Sequence, residues 1–190
     1  MRLILASGSL RRAEILRDAG IAFETIAAHV DEARREGEPV EELVRRLAEA
    51  KARAAMANVS GQSIVIGADT EVVVEGQVLG KPADAADARR MLALLAGRAH
   101  EVITGVAVLR LPDGALRVEH ETTRVTFAPL TGQEIDAYVA SGEPFDKAGA
   151  YGIQGCGGRY VKRVEGCYFN VVGLPLARLY RMLREMGWES

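Results

Sequence analysis

Apolar and polar positions follow two different periods along the first third of the chain, and these predict strands that alternate with helices. Short apolar runs predict strands, whereas apolar residues at helical spacing predict helices that begin near a capping residue or proline and end near glycine. The predicted segments are strands over residues 3–6, 23–27 and 63–68 and helices over 10–19 and 39–57. This alternation favours an α/β fold.

The rest of the chain adds antiparallel pairs. Residues 72–74 and 78–79 flank Glu75-Gly76-Gln77, which is a hairpin signal, and residues 101–111 and 115–127 are β-rich segments separated by Pro112-Asp113-Gly114. Three further helices are predicted: from Asp84 or Asp87 to Leu95, from the capping box Thr131–Glu134 to about Ala140, and from Pro175 to about residue 186. A strand-like piece covers residues 160–164. We therefore expect a mixed, strongly twisted sheet flanked by helices.

Composition narrows the class of protein. The 190 residues are 48% hydrophobic and 26% charged, which suits one globular domain over residues 1–190, or two lobes that share a cleft. The net charge of -2 and the lack of a basic tract disfavour a nucleic-acid partner. The two cysteines fit no zinc spacing, and we find no signal peptide or membrane span, so we expect a soluble, cytoplasmic protein.

The run from Ser7 to Arg12 lies between the first predicted strand and the first predicted helix. Free N–H groups at a helix start attract anions, Gly8 allows close approach, and Ser7, Ser9, Arg11 and Arg12 add donors suited to phosphate oxygens. The alternative is an ordinary helix cap with two solvated arginines. The run lacks the residues of a P-loop.

Acidic and basic residues elsewhere are further candidates. Asp69 follows a buried strand, where a carboxylate is costly unless it binds a cation or catalyses, and Glu71 shares its side of an extended strand. Lys81, fixed before Pro82, is suited to a phosphate contact. For Lys81 and for the helical Lys51, the alternative is a lysine that simply faces solvent. For Asp69, the alternative is an aspartate in a turn at the end of the strand.

The segment 143–155 combines glycines with paired charges. Its glycine density indicates a backbone that something approaches closely, and Asp146 and Lys147 place opposite charges side by side. The amide of Gln154 can donate and accept at once, which suits recognition of a base edge. A flexible surface loop with an ion pair is the alternative.

These motifs, taken in order, resemble the Maf family of nucleoside triphosphate pyrophosphatases from end to end. The matching pieces are residues 5–12, 51–54, 67–70, 80–82, 100–106, 142–155, 165–166 and 170–175. The resemblance implies cleavage between the α- and β-phosphates, with magnesium or manganese as cofactor. It also implies a deep cleft, a fold related to the inosine triphosphate pyrophosphatases, and a homodimer.

The resemblance also implies roles for single residues. Asp69 matches the proton acceptor, and Asp69 and Lys81 are the predicted catalytic residues. The residues that select the base are Arg11, Thr70 and Gln154. The residues around the phosphates are Ser7, Arg12, Lys51 and Lys81, with Asp146 and Lys147 near them. The candidate metal ligands are Asp69 and Glu32.

The motif around Gln154 is similar to the branch that acts on dTTP and UTP, because a branch that prefers 7-methyl-GTP carries an acidic residue there. Modified pyrimidine nucleotides are further candidate substrates. One departure is Leu10, which replaces the usual proline before Arg11. A nucleotide-binding regulator of septum formation with little turnover is the alternative function.

Overall fold

A computed structural model describes residues 1–189, which form seven strands and six α-helices. The strands are β1 (Arg2–Leu5), β2 (Glu24–Thr25), β3 (Ser63–Val74), β4 (Gln77–Leu79), β5 (Ala99–Leu111), β6 (Leu116–Phe127) and β7 (Val161–Glu165). The helices are α1 (Leu10–Asp18), α2 (Val40–Met56), α3 (Ala85–Leu95), α4 (Gly132–Ala140), α5 (Tyr168–Val172) and α6 (Leu176–Glu185). No helix within residues 1–189 combines the length and apolar character needed to cross a membrane.

The seven strands form one mixed sheet in the order β2-β1-β3-β5-β6-β7, with β4 paired to β3. Strand β1 is parallel to both β2 and β3, whereas β4 is antiparallel to β3 and β7 to β6. The predicted mixed α/β sheet is therefore confirmed. So is the predicted capping box, in which Thr131 Oγ1 accepts from the Glu134 N–H and the Glu134 carboxylate accepts from the Thr131 N–H.

Three predictions of local structure were wrong. The strand predicted over residues 23–27 is only the two-residue β2, and α5 was not predicted. The strand predicted to end before Asp69 instead continues as β3 to Val74. Its second half pairs with β4, Val72 facing Leu79, so the hairpin extends the same strand through Asp69 and Thr70.

The chain divides into two compact units, through which β3, β5 and β6 each pass. Unit 1 comprises Met1–Asp69, Thr104–Glu121 and the chain from Gly173 onward. In one cluster of its core, the small residues of α2 pack on β1, β3 and β5. The buried residues of this cluster are Ile4, Ala6, Ala48, Ala52, Ala55, Val65, Ala107 and Leu109.

Unit 2 comprises Thr70–Ile103 and Thr122–Val172 and has a partly aromatic core. Phe127 lies edge-on to Tyr151 and His100, with ring centroids 4.7 and 5.1 Å apart. Burial lowers the pKa of His100 to about 4. His100 Nε2 lies 2.8 Å from the Tyr151 hydroxyl and Nδ1 has no hydrogen-bond partner, so this histidine is a neutral core residue at neutral pH.

Candidate active site

A buried ion pair joins helix α2 to strand β3 in unit 1. Lys51 Nζ lies 2.7 Å from Asp69 Oδ1 and 2.7 Å from Glu32 Oε1. Asp69 is 6% exposed, and its second oxygen, Oδ2, is buried without a hydrogen-bond partner. Three predicted site residues from distant parts of the sequence, Glu32, Lys51 and Asp69, therefore meet at one place. Lys51 is not the solvent-facing helical lysine that remained an alternative.

Glycine makes this pairing sterically feasible. A Cβ atom on Gly67 would lie 2.0 Å from the carbonyl oxygen of Ala48 and 2.8 Å from the amide nitrogen of Ala52, so α2 rests directly on the backbone of β3. Lys51 is in the same turn of α2, and Asp69 is two residues beyond Gly67 on the same side of the strand. The close approach brings the lysine within reach of the carboxylate.

The loop that carries Glu32 is held by a second charged pair. Glu38 is buried, and its carboxylate accepts hydrogen bonds from Arg46 at 2.6 and 2.8 Å and from the Arg35 N–H at 3.1 Å. The Arg46 bonds lower the pKa of Glu38 to about 2. Arg46 also donates to the carbonyl of Ala33, next to Glu32. No sequence pattern pointed to Glu38, since a polar loop gives no sign of which acid turns inward.

The N-terminal run is held by its own serines and by Arg12. Ser9 caps α1 by accepting from the Arg12 N–H at 3.5 Å. The buried Ser7 Oγ accepts from the Ser9 N–H and from the Arg12 guanidinium, both at 3.2 Å, and Arg12 Nε donates to the carbonyl of Gly173 at 2.8 Å. The helix cap and the fixed arginine therefore occur together.

Burial lowers the pKa of the half-buried Arg12 from its ordinary value, whereas the charges of Asp69 and Glu32 raise it. An arginine keeps its charge even when its pKa falls moderately. Unit 1 thus holds Ser7, Arg12, Lys51, Glu32 and Asp69 in one set of polar contacts and charges. Arg11, in the first turn of α1, is half-buried and also belongs to unit 1.

The other predicted residues belong to unit 2. Thr70 is half-buried and follows Asp69 within β3, and Lys81 is exposed in the turn before the buried Pro82. Lys147 Nζ lies 2.7 Å from Asp146 Oδ1, and it also donates to the carbonyl oxygen of Glu143 at 2.6 Å. The predicted opposite charges at Asp146 and Lys147 therefore form an ion pair.

The glycine-rich segment of unit 2 packs against side chains of its own chain. A Cβ on Gly155 would lie 2.4 Å from Glu143 Oε1, and one on Gly157 would lie 2.5 Å from the Tyr138 hydroxyl. The glycine density predicted that something approaches this backbone closely. At Gly155 and Gly157, the approaching groups are the side chains of Glu143 and Tyr138. Gln154 directly precedes Gly155 and has an exposed side chain.

Residues 1–189 contain no group of three or more histidine, cysteine, aspartate or glutamate side chains arranged to hold a metal ion. The paired carboxylates are Asp69 and Glu32, which share Lys51. Magnesium commonly takes one or two carboxylates and completes its shell with water and phosphate oxygens. The carboxylates of Asp69 and Glu32 are the donor type and number that such an ion takes.

The family described as Maf-like protein matches residues 2–186. A dTTP/UTP pyrophosphatase of Koribacter versatilis is 54% identical over 98% of this chain and 95% of its own length. Proteins of the same name from Anaeromyxobacter sp. (54%; 100% of this chain, 93% of the other) and Carboxydothermus hydrogenoformans (50%; 99% and 100%) are similar. The Ham1 protein structure of Staphylococcus aureus has a TM-score of 0.50 at 16% identity, covering 98% of this chain and 100% of that one, and supports the predicted fold alone.

Proposed function

The chain belongs to the Maf-like protein family, and from this we propose that it hydrolyses dTTP and UTP to the nucleoside monophosphate and pyrophosphate. The observation that carries the proposal is identity of 50–54%, over nearly the full length of both chains, to proteins named dTTP/UTP pyrophosphatase. The buried Asp69–Lys51 pair supports catalysis rather than binding alone, because a buried carboxylate oxygen without a partner is costly and suits a group that accepts a proton.

Asp69 is the proposed general base. Its Oδ1 is fixed by Lys51, which offsets the cost of burying the carboxylate, and its Oδ2 is the oxygen that would take a proton from the attacking water. The water oxygen forms the new bond to the α-phosphorus as the bond to the bridging oxygen breaks, and the pyrophosphate leaves with that oxygen. Most of the acceleration then comes from positioning and electrostatics.

The N-terminal run is the proposed phosphate-binding element of unit 1. The start of α1 points N–H groups outward, Gly8 is exposed with open space where a Cβ would be, and Arg12 is held by Ser7 and Gly173. Lys81 is the further phosphate contact that the family resemblance predicts, with Asp146 and Lys147 near the phosphates. The exposed side chain of Lys81 suits this contact.

A divalent cation, magnesium or manganese, is the proposed cofactor, held by Asp69 and Glu32 together with the phosphates. When bound, such an ion offsets negative charge on the triphosphate. Lys51 contacts both carboxylates and holds them side by side. The chain therefore supplies the cation with two carboxylates that are already held next to each other.

Gln154, with Arg11 and Thr70, is the proposed base-selecting group. A glutamine amide can accept from N3–H and donate to O4 of uracil or thymine. Cytosine presents an unprotonated N3 and an amino group at these positions, so an amide held in this orientation cannot pair with it. Discrimination against CTP therefore requires that the amide be kept from turning by 180°. Modified pyrimidine nucleotides that keep this edge are proposed as further substrates. We also propose a cytoplasmic location, which the free thiols Cys156 and Cys167 suit.

A panel of triphosphates tests the function. With magnesium or manganese, the native protein should release pyrophosphate from dTTP and UTP faster than from CTP, purine triphosphates or 7-methyl-GTP. Asp69→Asn should lower kcat by roughly 10²-fold or more, the scale of a general base. Pyrophosphate is measured directly, because orthophosphate release would indicate cleavage at a different bond.

Asp113→Asn is the matched control. It makes the same change in an exposed hairpin whose ion pair with Arg110 is at the surface, so turnover should stay at the native level. Near-normal turnover in Asp69→Asn would refute the assignment of the base. Tight binding of dTTP without pyrophosphate release would favour the regulatory alternative, and faster cleavage of 7-methyl-GTP would contradict the role of Gln154.

A further inference from the structure

The segment that carries Gln154 is attached to two side chains of unit 2, those of the buried Tyr138 and the half-buried Glu143. The hydroxyl of Tyr138 donates to Glu143 Oε1 at 2.8 Å and accepts from the Gly152 N–H at 3.1 Å. The Glu143 carboxylate accepts two further backbone bonds, from the Cys156 N–H to Oε2 at 2.9 Å and from the Gly157 N–H to Oε1 at 3.2 Å. One tyrosine and one glutamate therefore bind three backbone N–H groups of this segment.

These attachments lie on both sides of Gln154. Gly152 is bound two residues before it, and Cys156 two residues after it. Gln154 itself is exposed, whereas Gly152 and Gly157 are buried. The exposed glutamine thus sits at the tip of a short segment whose two ends are fixed to the same pair of side chains, and this fixes where its amide can reach.

The glycines of the segment make this attachment close. The Cβ positions of Gly155 and Gly157 would fall 2.4 Å from Glu143 Oε1 and 2.5 Å from the Tyr138 hydroxyl, so the backbone rests directly on these atoms. A side chain at Gly155 would separate the segment from the Glu143 carboxylate, and one at Gly157 would separate it from the Tyr138 hydroxyl. The glycines therefore serve the contact with Glu143 and Tyr138.

The charge of Glu143 strengthens these bonds. Partial burial raises the pKa of Glu143, but the hydrogen bonds from Tyr138 and from the N–H groups of Cys156 and Gly157 lower it, and the result is below its ordinary value. Burial raises the pKa of Tyr138, so its hydroxyl keeps its proton and donates. N–H groups bound to a charged carboxylate make stronger bonds than those bound to a neutral acceptor.

We propose that Glu143 is a positioning residue for base recognition: with the Tyr138 hydroxyl, its carboxylate holds the backbone on both sides of Gln154 and so aligns the amide with the uracil or thymine edge. This inference rests on the proposed function, in which Gln154 selects the base. It assigns Glu143 no contact with the substrate and no part in proton transfer.

The test is the ratio of kcat/KM for UTP to that for CTP, two substrates that differ at the base edge in question. Glu143→Gln keeps the shape of the side chain but loses one acceptor and the charge, and should lower this ratio roughly tenfold, the effect of losing one well-aligned hydrogen bond. Most of the change should appear in KM for UTP, since the Asp69 site belongs to unit 1 and is unaltered. Tyr138→Phe removes only the hydroxyl and should change the ratio in the same direction.

A double variant separates positioning from general loss of stability. In a Gln154→Ala background, Glu143→Gln should leave the ratio unchanged, because the group that it positions is already absent. Glu134→Gln is the matched control, since this exposed glutamate belongs to the capping box of α4 in the same unit and has no bond to the segment. It should leave the ratio at the native value.

Two outcomes would overturn the inference while leaving the proposed function intact. One is a folded Glu143→Gln variant with the native UTP to CTP ratio, and the other is an equal loss in the native and the Gln154→Ala backgrounds. Absence of UTP and dTTP hydrolysis by the native protein would contradict the proposed function itself and, with it, this inference. The native measurements and the variant measurements therefore report on the two proposals separately.

Discussion

Leu10 is the one position at which the N-terminal motif departs from its family pattern, and the structure shows where its side chain lies. It is the first residue of α1 and is 78% exposed, directly after the capping Ser9. Ser9 has φ -74° and ψ 115°, an extended conformation that also suits a residue before proline. The serine hydrogen bonds described above hold the turn, so the leucine is neither a core residue nor a required cap.

Leu10→Pro should therefore raise stability. Proline is favoured at the first position of a helix, where the N–H has no helical partner, and it restricts the unfolded chain by about 0.4–1 kcal/mol. Chemical denaturation measures the change. Leu10→Ala, which removes the exposed side chain without adding the ring, should show little of this increase in stability. A fall in the denaturation midpoint for Leu10→Pro would contradict the assigned geometry.

The contact between α2 and the sheet determines whether the ion pair at Asp69 can form. Gly67 of β3 and Gly105 of β5 each face a backbone atom of α2, since added Cβ atoms would lie 2.0 Å from the oxygen of Ala48 and 2.2 Å from that of Val44. Only the Gly67 contact is in the turn that carries Lys51. An alanine at either glycine would therefore clash with the backbone of α2. At Gly67 the clash is next to the ion pair, and at Gly105 it is farther from it.

Gly67→Ala should lower both stability and turnover. The clash is with helix backbone and not with a flexible side chain, so overpacking should cost about 1–3 kcal/mol. Displacement of Lys51 from Asp69 should reduce kcat roughly tenfold or more, because catalytic geometry tolerates shifts of well under about 1 Å. Steady-state kinetics and denaturation are measured on the same samples.

Gly105→Ala is the comparison variant. It should lose a similar amount of stability but keep a turnover closer to native, because its clash is with Val44, about two helical turns before Lys51. Equal losses of kcat in both variants would show that the kinetic effect follows from stability rather than from the Lys51–Asp69 pair.

At the scale of the whole molecule, two buried groups contribute to the response to acid. His100 has a folded pKa of about 4, lowered by burial, against an ordinary value of 6.5. Glu38 has one of about 2, lowered chiefly by Arg46, against 4.5. Both groups bind protons more readily in the unfolded chain, so their contributions are fully present above the ordinary pKa values and are lost as pH falls towards the folded ones.

The free energy of unfolding should therefore fall as pH drops from about 6.5 to 4.5, by up to about 1.4 kcal/mol per pH unit from His100 alone. His100→Phe keeps a ring in contact with Phe127 and Tyr151 and should flatten this part of the profile, even if the variant is less stable at pH 7. His29→Gln changes an exposed histidine and should keep the native slope. Equal slopes in all three proteins would contradict the assignment.

The predicted homodimer also belongs to this scale. Sedimentation equilibrium should give a mass near twice that of the 20.5 kDa chain if the family resemblance extends to assembly. A mass of one chain at micromolar concentration would contradict it.

Much of the local structure followed from the sequence because its signals are local. The helix beginning after Pro39, the capping box at Thr131, the hairpin at Glu75-Gly76-Gln77 and the β5–β6 segments all appear where spacing and turn residues placed them. The errors at β2, the end of β3 and α5 lie where pairing with another segment decides the outcome, as with Val72 and Leu79.

The sequence by itself determined the mixed α/β class, the order of the motifs and the residue types of the candidate site, because periodicity, capping and motif spacing depend on neighbours along the chain. Tertiary structure alone decided that Lys51 is buried against Asp69 and Glu32, that Glu38 faces inward, and that Glu143 holds the segment around Gln154. These contacts join residues 8 to 19 positions apart through packing and hydrogen bonds, which no local pattern encodes.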